Sequence, residues 1–104
     1  MKSTCVIETT GPFVGAKYWR LNNGLGGLHR DEIDPETGLT LHAVEYPGGN
    51  KEWWQNDVLH RDDGPARETM YGERYYHING VFIPKLYNKR IYGREKLAMA
   101  IILI

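Results

Sequence analysis

Two short runs carry the residue types that chemistry needs. His60-Arg61-Asp62-Asp63 and His29-Arg30-Asp31-Glu32 each set an imidazole beside a guanidinium and two carboxylates. Such a set could serve metal-assisted or general acid–base attack on a phosphodiester, centred on His60. The same residues also have a structural use. Asp63-Gly64-Pro65 is a turn signal; an Asp there accepts backbone N–H groups, and Arg61 can pair with it or with Glu68. His60 would then end a strand and bond a neighbouring carbonyl. Two features favour the structural use. The run recurs, whereas an active site is ordinarily unique, and the last copy has Phe82-Ile83-Pro84 in place of Leu-His-Arg. We expect no catalytic residue and keep a His/Asp hydrolase centred on His60 only as an alternative.

Other chemistries find less support. The four histidines, His29, His42, His60 and His77, form no His-x-x-x-His pair, and Cys5 is the single cysteine. Neither a metal nor any other cofactor is expected. Cys5 reads as a small strand residue with no base partner. A lone cysteine fits a reducing cytoplasm. The glycine-rich places lack the lysine and helix start of a phosphate cradle. Thirteen basic and thirteen acidic side chains cancel, so no global field draws the chain to DNA or to an anionic membrane. One local exception is the segment from Lys85 to Lys96. There Lys85, Tyr87, Lys89, Arg90, Tyr92, Arg94 and Lys96 interleave charge with rings, which suits nucleic-acid binding as an alternative function. No apolar leader follows Met1, and the apolar run from Leu97 to Ile104 is shorter than the ~20 residues of a membrane span. A cytoplasmic protein without membrane contact is expected, with self-association through that apolar run left open.

The elements that position these residues are short strands. Turn signals at Pro47-Gly48-Gly49-Asn50, Asn56-Asp57, Asp63-Gly64-Pro65, Tyr71-Gly72-Glu73 and Asn79-Gly80 follow one another closely. Asn79-Gly80 is the strongest, since both residues tolerate the positive φ of a type I′ turn. The 104 residues make one domain. The pattern predicts a mainly β fold, an antiparallel meander of repeated β-hairpins.

The chain also repeats. At an offset of 23, Ala43 falls on Ala66, Gly49 on Gly72, Trp53 on Tyr76, Asn56 on Asn79 and Val58 on Val81. The repeats are thus 43–65 and 66–84, with a degenerate copy at 9–42 carrying Gly15, Trp19 and Asn22. Strand alternation puts Trp19, Trp53 and Tyr76 on a core face. It sends Tyr18, Glu52 and Tyr75, with Arg20, Trp54 and His77, to the other. A short helix over about 94–103 is expected to cover that second face.

The run from Trp53 to Ala66 resembles the W-x-x-N-G-x-L-H-R-x-D-G-P-A repeat, with Asp57 at the usual glycine. That repeat occurs in small proteins of bacteria, phages and large viruses and is MORN-like in its hairpin stacking. The resemblance implies structural roles for Trp53, His60, Arg61, Asp63, Gly64 and Pro65, and no catalytic activity. It also suggests a phage-type accessory protein. The leading expectation is a non-catalytic protein–protein interaction module that binds and inhibits a host protein, in the manner of an anti-CRISPR. Its contact surface would comprise Tyr18, Trp54, Tyr75, Tyr87, Lys89, Arg90 and Tyr92.

Overall fold

A computed structural model describes residues 2–84. The expected helix over 94–103 lies outside the described residues, as do Tyr87, Lys89, Arg90 and Tyr92. The fold is mainly β and antiparallel. Ten strands follow in chain order: β1 (Thr4–Ile7), β2 (Lys17–Arg20), β3 (Val44–Glu45), β4 (Lys51–Glu52), β5 (Trp54–Gln55), β6 (Val58–Leu59), β7 (Arg67–Glu68), β8 (Arg74–Tyr75), β9 (His77–Ile78) and β10 (Val81–Phe82). Each of β7 to β10 begins 23 residues after its counterpart among β3 to β6. No helix among the described residues is long and apolar enough to cross a membrane.

Six strands form one sheet in the order β1-β2-β3-β4-β7-β8, while β5-β6 and β9-β10 form separate two-stranded hairpins. This corrects the expectation of one continuous aromatic strand per unit. The strand breaks at Trp53 and again at Tyr76. Trp53 donates its N–H to Ala66 O at 2.8 Å and accepts from His60 N at 2.9 Å; Tyr76 O accepts from Ile83 N at 2.8 Å. Each of these residues therefore stands at the corner where the chain leaves the large sheet for a hairpin.

The register sorts the two faces of the large sheet. Val6, Tyr18, Val44, Glu52, Arg67 and Tyr75 are successive cross-strand partners, so they share one face. The neighbouring row, Ile7, Lys17, Glu45, Lys51, Glu68 and Arg74, lies on the other and alternates in charge from Lys17 onward. Opposite charges across a sheet are favourable, and Lys17 Nζ sits 3.7 Å from Glu45 Oε2.

The hairpins stack on one another through a recurring set of bonds. Their tips have paired positive φ angles: Asn56 50° and Asp57 64°, then Asn79 49° and Gly80 82°. Asn and Asp tolerate that region better than other side chains. Asp57 N–H reaches Leu28 O at 2.7 Å, and Gly80 N–H reaches Leu59 O at 2.9 Å. Arg30 N–H reaches Trp54 O and Arg61 N–H reaches His77 O, both at 3.2 Å. Each hairpin thus docks on the Leu-His-Arg strand of the unit before it. At the last unit the equivalent residues are Phe82, Ile83 and Pro84, and Pro84 has no N–H to offer.

Trp53 and Tyr76 are buried, and Ala43 and Ala66 are fully enclosed. Trp19 is only half-buried, against expectation, while His29 beside it is buried. The Arg30 guanidinium lies 4.1 Å above the Trp19 ring, and His42 meets its edge at 5.6 Å.

Candidate functional site

The histidine–arginine–aspartate run folds into a lock between hairpins. Arg61 Cζ lies 4.1 Å over the Trp53 ring. Its Nε donates to Asp63 Oδ1 at 2.7 Å and its Nη1 to Pro65 O at 3.1 Å, while Glu68 stands 3.8 Å from Nη1. Gly64 is required by this packing, because a Cβ there would fall 2.7 Å from Arg61 Cζ. The other oxygen of Asp63 accepts the N–H of Thr40 at 2.8 Å and its hydroxyl at 2.7 Å. Burial alone would raise the Asp63 carboxyl; the hydrogen bonds from Thr40 and Arg61 outweigh it and hold it below the ordinary carboxylate range.

Thr40 comes from a hairpin inserted between Arg30 and Ala43, closed by the Ile33–Thr40 bridge. Its carbonyl accepts the indole N–H of Trp53 at 2.7 Å. The insertion therefore ties the first unit to the second. The same lock recurs there in outline: Arg30 Nε donates to Glu32 at 3.0 Å and Nη1 to His42 O at 3.1 Å.

His60 does not donate to a carbonyl as expected. Its Nδ1 accepts the N–H of Asn79 at 2.9 Å, and His29 Nδ1 accepts the N–H of Asn56 at 2.9 Å. The reason is the turn: a type I′ tip points its first N–H outward, and the imidazole of the preceding unit is the acceptor in reach. His60, Arg61 and Asp63, the groups a hydrolase would use, are each engaged in holding hairpins together. A recess of about 610 Å³ borders His60 and Arg61, with Asp31, Gln55, Asn56, Asp62 and Asn79 also in its walls. Among the described residues no three His, Cys, Asp or Glu side chains converge on a metal position.

The aromatic face is built separately. Tyr18 and Tyr75 stand on the same face of the large sheet, four strands apart in order, and both are half-buried. Trp54 stands in its own hairpin and is tied to this face through Glu52. Its indole N–H donates to Glu52 Oε1 at 3.0 Å. Glu52 Oε2 in turn lies 3.3 Å from Arg67 Nε, and Arg67 Cζ lies 5.6 Å from the Tyr75 ring.

Sequence reasoning missed the continuation of this face. Tyr46 meets Tyr18 edge-on at 6.5 Å and Phe13 at 5.6 Å. The turns carrying Phe13, Pro47 and Met70 lie side by side, joined by the Met70 N–H on Asn50 Oδ1 at 2.7 Å. They line a recess of about 430 Å³ with Glu52 and Arg67 on its wall. Phe13, Val14 and Met70 are each more than half exposed, and Tyr71 is 82 % exposed. Burial, with Glu52 and Tyr18 nearby, raises the Tyr46 phenol above its ordinary range. The signal available in the sequence was the shared turn position, since Gly15, Gly49 and Gly72 all take positive φ there.

No protein-family model matches the chain, and neither a curated protein nor a solved structure is significantly similar to it.

Proposed function

We propose that this protein is a non-catalytic interaction module whose docking surface is the aromatic face. The observation that carries the reading is the continuous run Phe13–Tyr46–Tyr18 on the sheet face that also carries Tyr75, with exposed Met70 lining the same recess as Phe13 and Tyr46. Tyr and Trp expose large apolar area at low entropic cost, and Arg67 and Glu52 add a polar handle. The engagement of His60, Arg61 and Asp63 in the hairpin stack supports a role without chemistry. The resemblance to the Leu-His-Arg repeat of phage proteins supports a host protein as the partner, bound and inhibited in the manner of an anti-CRISPR. The test is affinity capture from host lysate with the intact chain and with Trp54→Ala and Tyr46→Ala. Loss of one specific host protein with both variants, at unchanged circular dichroism, is the expected result. Equal capture by all three chains would overturn the reading.

A further inference from the structure

The β1 edge of the large sheet carries a second docking surface. Strand β1 ends the strand order, and among the described residues no strand pairs with its outer side. Its four residues, Thr4, Cys5, Val6 and Ile7, are exposed. No proline, charge or bulge interrupts the edge.

The hydrogen-bond phase of this edge is fixed. Glu8 N–H donates inward to Ala16 O at 2.8 Å, and Trp19, the partner of Cys5, donates away from β1 to Ala43 O at 2.8 Å. Backbone groups alternate in direction along an antiparallel strand. Those of Thr4, Val6 and Glu8 therefore face β2, and those of Ser3, Cys5 and Ile7 face outward.

We propose that this edge pairs with the same edge of a second copy, antiparallel and centred on Cys5. In that register Cys5 lies opposite its own counterpart, and Ser3 lies opposite Ile7 on either side. All three outward-facing residues then find outward-facing partners. A shift by one residue would set outward groups against inward ones. A shift by two would leave one outward residue without a partner. The same centring brings Lys2 opposite Glu8 of the other copy, twice by symmetry. Neither residue forms an ion pair among the described residues. Lys2 and Glu8 bracket the strand symmetrically about Cys5, and this charge complementarity selects a second copy as the occupant. Two six-stranded sheets would become one.

The test is light scattering of the intact chain across a concentration series. The expected mass at high concentration is twice 12.0 kDa. Cys5→Pro removes an outward N–H but no inward bond, so it should give a monomer with an unchanged circular-dichroism spectrum. Glu8→Lys sets two like charges together and should raise the dissociation constant about tenfold. The exchanged pair Lys2→Glu with Glu8→Lys should restore it. A short bis-maleimide should couple two wild-type chains through Cys5. A monomer at every concentration would overturn the proposal. So would a dimer indifferent to Cys5→Pro, or an exchanged pair that fails to restore association.

Discussion

His60 Nδ1 accepts the backbone N–H of Asn79, 19 residues further along, at 2.9 Å. The same bond joins His29 to Asn56. Each imidazole is therefore an acceptor for a turn N–H of the next unit. His60→Ala should lose about 1 kcal/mol of unfolding free energy, the worth of one such bond. His60→Asn, whose amide oxygen sits near the Nδ1 position, should recover part of it. Urea midpoints at constant slope measure both.

The Arg61–Asp63 pair gives a steeper effect. Both side chains are buried, at 6 % and 1 % exposure. Removing one partner of such a pair leaves a buried charge uncompensated, at a cost of about 3–5 kcal/mol. Arg61→Ala should lose about that much, and Asp63→Ala a similar amount. Gly64→Ala should cost about 1–3 kcal/mol, because its methyl displaces the Arg61 guanidinium. Thermal melting ranks the three.

Adjacent tryptophans should behave oppositely. Trp53 is buried under Arg61 and bonded to Thr40, so Trp53→Ala should cost about 3–5 kcal/mol and abolish folding or nearly so. Trp54 is half-buried and holds only Glu52 through its indole. Trp54→Ala should leave a cooperative melt while lowering partner capture. A Trp54→Ala chain that fails to fold would place Trp54 in the core.

Stability should fall with acid in two stages. His42 and His77 have lowered pKa values, chiefly from burial, which disfavours the charged form; Glu45 partly opposes this at His42. A depressed folded-state pKa means that the folded chain binds fewer protons than the unfolded one. The associated stability is therefore full above the unfolded value of about 6.5 and declines as pH drops below it. Asp63 is depressed as well, so a second decline begins below about 3.9. Urea unfolding at pH 7.5, 5.5 and 3.5 checks the order. His77→Phe should flatten the first stage, because it removes one of the two imidazoles.

The sequence disclosed the turns more fully than the strands. Asn56-Asp57 and Asn79-Gly80 adopt the positive φ values that their side chains tolerate. The offset of 23 reappears in the strand positions. Strand alternation, by contrast, did not show that Trp54 belongs to a separate hairpin. Alternation assumes an unbroken strand, and nothing local to Trp53 announces that the chain turns a corner there. The corner is set by Ala66 and His60, 13 and 7 residues further on. Tyr46 and Phe13 were missed for a related reason. They sit at turns, where no periodicity exists to assign a face. The partner of Asp63 was equally hidden, since Thr40 arrives from an insertion that the repeat does not contain.

The Phe82-Ile83-Pro84 of the last repeat bears on how such an array could lengthen. Tandem duplication of a 23-residue segment supplies a new hairpin, but a hairpin needs a berth. In the last repeat the imidazole acceptor has become an isoleucine, and the arginine amide has become a proline nitrogen. A duplicated segment grafted after Pro84 would inherit its own tip and find nothing to hold it. A copy inserted upstream of Ile83 brings its own histidine and arginine, and so its own berth.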